Sequence, residues 1–489
     1  MNKVNFAQTI IEQSQQYPAK LAYRDGYTDL TYSELGVRIR QVAGGLRSLG
    51  LDKGDAVILV MEDTVDWPVV FLACVYSGMV PVTMSVKLPY DLFWRIADFI
   101  EAKLVVVDDS VARGFTDNRP VKVITREQDI QGFYNLSDVV EPVYVHLDAP
   151  GYMGLSSGTT GVPKVAVQRH AMFYEGLKIG PKSYNMTADS VMMSIPKMSW
   201  GFGLHNSITY TVGLGATAIL IPRVPAPSIV YDYLQRFRPT IVTCGTGLVK
   251  RLLTPDAVMP ASVKCFAQGG EVLPNEVYEE FLEKFGFAPD TVIGMLEVGN
   301  INYAATVNSH ERGTVGTPLE GVEVRVLNDR DEPCAVGEVG ELYIKSPMNA
   351  FYYYNNYART RDTFIGEWVR TGDYVKWNTQ QRLVFIGRRD DVFKVSNLIV
   401  SPVEIELELE KSPLVQRVAI TGITNFKGVR EVNAFVVPAS SFDTVKFSEH
   451  VNRNLFPHQR PVHIHLVEAL PETVTAKKDR KNLIQLLQA

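Results

Sequence analysis

Cysteine is scarce in this chain, and long apolar runs are absent. The 489 residues include four cysteines, Cys74, Cys244, Cys265 and Cys334, scattered without C-x-x-C spacing. That pattern excludes a zinc ribbon or a thioredoxin-type redox motif and marks each cysteine as a small, semi-buried hydrophobe. No run of about 18 apolar residues is available to span a bilayer. The opening Met1-Asn2-Lys3-Val4-Asn5-Phe6 lacks the apolar core of a secretory leader. A reducing cytoplasm is the expected compartment. Strong charge is missing too. A net charge of −5 gives no electrostatic reason to expect nucleic acid or an anionic membrane as partner. Internal repeats and low-complexity segments are absent, as is any G-x-x-x-x-G-K-[S/T] loop. What remains is a globular composition, 46% hydrophobic and 21% charged, in a chain too long for one typical core. Two or more domains are expected.

Against these absences one stretch stands out. Residues 152–168 read Tyr-Met-Gly-Leu-Ser-Ser-Gly-Thr-Thr-Gly-Val-Pro-Lys-Val-Ala-Val-Gln. The hydroxyls of Ser156, Ser157, Thr159 and Thr160 alternate with Gly158 and Gly161, and Lys164 follows. Small residues let backbone N–H groups approach an anion, hydroxyls add donors, and lysine adds a mobile positive charge. The stretch has the chemistry of a polyphosphate cradle.

Around it the chain alternates strand and helix. Ala56 to Met61, Met79 to Val82, Leu104 to Val107, Val121 to Thr125, Ala216 to Ile221 and Thr240 to Thr243 are short apolar runs, and Trp67 to Ser77 has helical length. Such runs separated by helices predict parallel strands buried on both faces, an α/β architecture. From Gly321 the texture becomes alternating with glycine turns, as in antiparallel strands, through Val322 to Leu327, Glu341 to Ile344 and 382–386. After Asp391 a compact α+β unit is expected. It has a helix over Val403 to Leu409, strands over Val418 to Gly422 and Ala434 to Val437, and a terminal helix over Leu483 to Leu487.

The cradle resembles the signature of the acyl-adenylate-forming superfamily, which comprises acyl- and aryl-CoA ligases, peptide-synthetase adenylation domains and luciferases. Further signposts follow in the family's order. They are Gln268-Gly269-Gly270-Glu271, Ile293-Gly294-Met295-Leu296-Glu297, Arg370-Thr371-Gly372-Asp373, Gly387-Arg388-Arg389-Asp390-Asp391 with Lys394, and Leu470-Pro471-Glu472-Thr473-Val474-Thr475-Ala476-Lys477. The segment Ser194 to Asn206 is similar to benzoate- and anthranilate-type aryl-CoA ligases, where K-x-x-F-x-Y-G-x-x-N recurs.

The resemblance implies a large N-terminal domain, residues 1–389, binding ATP and acid. It has parallel-rich sheets flanked by helices and a small β-rich subdomain. A small mobile α+β domain, residues 390–489, would carry the catalytic lysine beyond a hinge at Asp390. Implied roles follow residue by residue. Lys477 contacts the carboxylate and the α-phosphate, Glu297 coordinates Mg²⁺, Asp373 accepts both ribose hydroxyls, and Arg388 assists at the ribose. Ser156, Ser157, Gly158, Thr159, Thr160 and Lys164 hold phosphates, and Gly269, Gly270, Glu271, Gly294 and Met295 lie along the nucleotide. Lys197, Trp200, Phe202, Gly203 and His205 belong to the acid pocket, the two aromatics as flat walls for a ring. Lys394 and Asn397 belong to the thiol channel.

The chain departs from the family's pattern at several of these places. Leu296 replaces a hydroxyl residue, Ile293 an aromatic, His205 and Asn397 glycines of the aryl-CoA ligases, and Ala476 a glycine. No Phe-Asp pair matches the α-amine signature of amino-acid adenylation domains, which argues against a standard amino acid. The implied activity is ATP- and Mg²⁺-dependent activation of an aromatic carboxylic acid as acyl-AMP, then transfer to coenzyme A. A stand-alone enzyme loading an acyl carrier protein through its phosphopantetheine shares every motif. A catalytically weakened member acting as a binding or scaffolding partner in a biosynthetic assembly is the rival from another class.

Overall fold

The computed structural model describes residues 3–115, 121–156, 164–223, 225–305, 314–395, 398–426, 428–472, 478–480 and 482–487. The chain packs as two compact units. One comprises residues 1–324 and 344–370, the other residues 325–343 and 371–489.

In the first unit the short apolar runs become sheet interiors. A seven-stranded sheet orders Tyr352–Tyr353, Lys164–Arg169, Pro150–Ser156, Val80–Thr83, Ala56–Val60, Leu104–Val107 and Lys122–Thr125. Its last four strands are mutually parallel. Period-two alternation sends Val57 and Leu59 into one core, with helix Asp66–Tyr76, and Ile58 and Val60 into a second, with Phe93 and Trp94. Both faces are covered, which is why these strands read as unbroken hydrophobic runs.

A nine-stranded sheet carries the rest of the α/β pattern. Its order is Thr317–Pro318, Asn300–Ala305, Asp290–Met295, Cys265–Gly269, Ile241–Gly245, Val191–Ser194, Thr217–Ile219, Leu21–Arg24 and Asp29–Thr31. From Asp290–Met295 through Leu21–Arg24 neighbours are parallel. The carboxyl ends of Val191–Ser194, Ile241–Gly245, Cys265–Gly269 and Asp290–Met295 therefore lie along one sheet edge. That edge is where open α/β sheets bind ligands. The cysteines are free; Cys74, Cys244 and Cys265 are buried, as expected of small hydrophobes.

The antiparallel texture beyond Gly321 is also present. Strands Glu323–Leu327, Val339–Lys345, Phe364–Ile365, Trp368–Trp377 and Leu383–Arg388 make a further sheet. In the second unit, Val415–Thr424 and Arg430–Pro438 pair antiparallel, and His463–Leu466 adds in parallel. Val418, Ile420, Ala434 and Val436 face helices Pro402–Leu409 and Thr444–Asn454 in one core, while Ala419 and Phe435 face Leu470 and Leu483. Ser401 caps the first of these helices by accepting the Glu404 N–H, with Pro402 in the first turn. The terminal helix forms in the tighter 3₁₀ geometry over Asn482–Leu487. Among the described residues, no helix is long and apolar enough to cross a membrane.

Candidate functional site

The cradle hangs on a hairpin. Strand Pro150–Ser156 pairs antiparallel with Lys164–Arg169, with Ser156 opposite Lys164. Ser157, Gly158, Thr159 and Thr160 lie outside the described residues. At the hairpin's end the Ser156 hydroxyl is buried with no hydrogen bond among the described residues. The ammonium of Lys164 stands 5.2 Å from the centre of the Tyr353 ring. Tyr353 comes from the short edge strand that pairs with Lys164–Arg169, opposite Ala166.

Tyr353 leads directly to the acidic candidate. Its hydroxyl donates to Glu297 Oε1 at 2.6 Å, and the Ala350 N–H donates to the Glu297 carbonyl at 3.0 Å. Glu297 is only 4% exposed. The structure gives its Oε2 no hydrogen bond among the described residues. Gln168, on the Lys164 strand, donates its amide to the Leu296 carbonyl, and its own buried Oε1 has no hydrogen-bond partner among the described residues. Lys164, Tyr353 and Glu297 are thus linked by successive contacts, while Gln168 meets the neighbouring Leu296 from further along the Lys164 strand. The Glu297 carboxylate is of the kind that binds Mg²⁺ together with substrate phosphates, since Mg²⁺ takes oxygen ligands. Among the described residues, no group of three or more His, Cys, Asp or Glu side chains could hold a metal by itself.

Leu296 explains its own departure from the family pattern. A Cβ added at Gly154 would come within 2.9 Å of Leu296 Cδ1, and Leu296 packs on the main core of the first unit. A Cβ at Gly201 would reach 3.9 Å from both Leu296 Cδ1 and His205 Cδ2. Leucine fills a seam between the Pro150–Arg169 hairpin and the segment that follows Ser194. The glutamine-glycine segment ends a parallel strand. A Cβ at Gly269 would lie 2.8 Å from the Val292 carbonyl, and Gly270 adopts a φ of +106°, which suits only glycine. Thr246 braces this end by donating to Gln268 Oε1 at 2.5 Å and to the Glu271 carbonyl at 2.9 Å. Gly294 is exposed and Met295 half-buried at the end of the neighbouring strand.

The acid segment follows strand Val191–Ser194. Trp200 and Phe202 are half-buried, and Phe202 packs on a buried cluster that includes Tyr184, Tyr210 and Val292. Gly203 is buried. His205 is fully buried, 2.8 Å from the Tyr152 hydroxyl and 3.0 Å from Thr209 Oγ1. Burial lowers its pKa to about 3, so the ring is neutral, with one nitrogen donating and the other accepting. Lys197 directs its ammonium to the carbonyls of Ile221 at 2.5 Å and Pro222 at 2.7 Å.

In the second unit, strands Trp368–Trp377 and Leu383–Arg388 place Asp373 opposite Arg388. The guanidinium donates to Asp373 Oδ1 at 2.7 Å, and Thr371 Oγ1 accepts the Asp373 N–H at 3.1 Å. One carboxylate oxygen thereby anchors the side chain. Asp390 is exposed, while Asp391 pairs with Arg480 at 3.2 Å. Arg480 and Lys478 both bond the buried Glu406. Lys394 pairs with Asp329 at 3.3 Å on the surface. Lys477 and Asn397 lie outside the described residues.

Sequence reasoning missed Tyr353, Gln168 and Asp63, which accepts the Met198 N–H. A signal existed for the first. Tyr352, Tyr353 and Tyr354 are consecutive, so in a strand the middle one faces opposite to its neighbours. Tyr353 is 2% exposed and Tyr352 38%.

A family profile described as AMP-binding enzyme matches residues 10–354, and one described as AMP-binding enzyme C-terminal domain matches residues 404–477. A 4-hydroxybenzoate–CoA/benzoate–CoA ligase of Rhodopseudomonas palustris is 29% identical over 485 residues, covering 94% of this chain and 90% of that protein. A solved benzoate CoA ligase from Burkholderia xenovorans shares 30% identity with a TM-score of 0.90, over 98% of this chain and 99% of that one. A solved anthranilate CoA ligase in complex with anthranoyl-AMP shares the fold, with a TM-score of 0.92 at 24% identity over 99% of this chain and 97% of that one.

Proposed function

The chain belongs to the AMP-binding enzyme family, and from that premise we propose that it is an acid–thiol ligase joining an aromatic carboxylic acid to coenzyme A. ATP is consumed to AMP and pyrophosphate. The observation that carries this reading is the end-to-end likeness to benzoate- and hydroxybenzoate–CoA ligases. It is supported by an acid segment whose aromatics, Trp200 and Phe202, stand beside Gly201 at the carboxyl edge of the parallel strands.

In the first step a carboxylate oxygen attacks the α-phosphorus of ATP, and pyrophosphate leaves. In the second the thiol sulfur attacks the acyl carbon, and AMP leaves with the carboxylate oxygen it received. The chemistry first brings two anions together, so preorganised positive charge and N–H donors supply most of the catalysis. Lys164, with the hydroxyl of Ser156 and those of the cradle, would hold the polyphosphate. Glu297 and the phosphates would hold Mg²⁺, which supplies charge neutralisation when bound. Tyr353 fixes the Glu297 carboxylate. Asp373, braced by Arg388, offers its second oxygen to a ribose diol. Lys477 would meet the carboxylate and the α-phosphate. Functional domains of residues 1–389 and 390–489, hinged at Asp390, belong to the same reading, as do Lys394 and Asn397 on the thiol side.

A pyrophosphate-release screen over benzoate, hydroxybenzoates, aminobenzoates and short acyl acids, with and without CoA, tests this. Release with an aryl acid, followed by CoA-dependent thioester, is expected. Adenylate that accumulates with CoA but is consumed by a carrier protein would replace the acceptor. No release with any acid would favour the scaffolding alternative.

A further inference from the structure

The turn between strand Val191–Ser194 and the helix beginning at Gly201 is anchored in an unusual way. Its Lys197 ammonium reaches the carbonyls of Ile221 and Pro222, just past strand Thr217–Ile219 of the nine-stranded sheet. The very next residue is tied to the other sheet. The Met198 N–H donates to both carboxylate oxygens of Asp63, at 3.1 and 3.3 Å, just beyond strand Ala56–Val60. The Ser199 carbonyl accepts from Thr83 Oγ1 at 3.2 Å, at the end of strand Val80–Thr83. Lys197 Nζ also lies 3.9 Å from Asp63 Oδ2 and 3.8 Å from Glu62 Oε2. The turn therefore clasps both sheets through three consecutive residues.

The clasp is tight. The Trp200 N–H donates back to the Lys197 carbonyl at 2.9 Å, and a Cβ at Gly203 would fall 2.2 Å from the carbonyls of Pro196 and Lys197. Little slack separates the Lys197 backbone from Trp200 and Phe202. The Asp63 carboxylate is buried, and the Lys197 side chain is only 16% exposed. Two opposite charges are thus drawn into a low-dielectric region to hold one turn. Removing Lys197 leaves the buried Asp63 without its compensating charge, whereas removing Asp63 leaves Lys197 with Glu62 alone.

We propose that Lys197 and Asp63 are paired positioning residues that set the turn carrying Trp200 and Phe202, and so govern the affinity for the acid without touching it. This rests on the aryl-acid reading above for what the aromatics face. The clasp itself rests on the hydrogen bonds alone. The pKa shifts agree with a strained buried pair. Desolvation raises Asp63 to about 7 against the pull of Lys197, and desolvation lowers Lys197 against the pull of Asp63 and Glu62. Sequence resemblance puts Lys197 in the acid pocket; its ammonium geometry gives it this different task there.

The test uses the full chain and the variants Lys197→Met, Asp63→Asn, the double variant, and Thr83→Val. Two readouts are taken: KM for benzoate and for ATP with kcat, and amide hydrogen exchange of the peptide spanning residues 196–204. Lys197→Met is expected to raise the benzoate KM at least tenfold, leave the ATP KM within twofold, and speed exchange of that peptide. Asp63→Asn keeps an oxygen acceptor for the Met198 N–H, so its exchange stays slow and its benzoate KM rises less. The double variant is expected to recover part of the Lys197→Met loss. Thr83→Val, which keeps both charges and is the gentler lesion should Lys197→Met not fold, is expected to raise the benzoate KM two- to threefold. Equal rises in both KM values, a kcat loss at unchanged benzoate KM, or unchanged exchange in Lys197→Met and Thr83→Val would each overturn the proposal. Wild-type protein inactive on every aryl acid would instead remove the functional reading, with exchange still deciding the clasp.

Discussion

Replacing Tyr353 by phenylalanine removes one oxygen and nothing else. The hydroxyl it deletes donates to Glu297 Oε1 at 2.6 Å, on a carboxylate that is only 4% exposed. A hydrogen bond to a charged group contributes about 1.5–3 kcal/mol, and its loss leaves a buried acceptor unsatisfied. At about 1.4 kcal/mol per decade, adenylation should slow by roughly 10- to 150-fold if that carboxylate must be oriented in the transition state. The ring remains, so the Lys164 contact at 5.2 Å survives and phosphate binding should change little. The assay is benzoate-dependent exchange of labelled pyrophosphate into ATP across a Mg²⁺ titration, with thermal unfolding alongside. The expected result is a lower maximal rate, a higher Mg²⁺ half-saturation and a nearly unchanged melting temperature. Exchange within twofold of wild type at every Mg²⁺ concentration would refute the idea that Tyr353 orients Glu297.

Other changes have directions of their own. Lys477→Ala should abolish adenylate formation while sparing thioester formation from supplied benzoyl-AMP, since a positive charge between two anions supplies on the order of 3 kcal/mol or more; near-normal pyrophosphate exchange would remove that role. Leu296→Thr restores the hydroxyl usual in the family but gives up packing against Gly154, so calorimetry should show unchanged ATP affinity and a melting temperature that falls. Burial lowers His205 to about 3 and His170 to about 4 from 6.5, so as pH falls below 6.5 the unfolded chain takes up protons that the folded chain refuses. Each imidazole then costs about 1.4 kcal/mol of stability per pH unit. Asp63, raised to about 7, works oppositely, gaining stability as pH falls from 7 toward its unfolded value of 3.8. The readout is therefore a difference: denaturant melts at pH 5 and 7 should show a smaller acid-induced loss in His205→Gln than in wild type, and parallel losses would contradict the buried neutral ring.

How much of this was legible in the sequence depended on whether the information was local. The apolar runs at Ala56 and Leu104 are strands because both sheet faces are covered, and that leaves a continuous hydrophobic trace. The motif residues could be named from the sequence because the chemistry proposed for them needs a particular residue type at a particular spacing. What could not be read was the pairing of distant segments. Nothing near Glu297 announces that Tyr353 will meet it, because the meeting depends on a two-residue edge strand joining the Lys164 strand. Leu296 reads as a lost hydroxyl until Gly154 and Gly201 are seen beside it. Lys197 reads as a pocket residue because its motif is recognisable, whereas its ammonium turns to Ile221 and Pro222, carbonyls that no local pattern supplies.

The central claim is that a carboxylate oxygen is passed to AMP and the acyl group to a thiol. Benzoate labelled with ¹⁸O at both carboxylate oxygens, incubated with the protein, ATP, Mg²⁺ and CoA, tests it by mass spectrometry of the nucleotide and the thioester. AMP is expected to carry one labelled oxygen and benzoyl-CoA the other, with unlabelled pyrophosphate. Unlabelled AMP, or label found in ADP or inorganic phosphate, would contradict it.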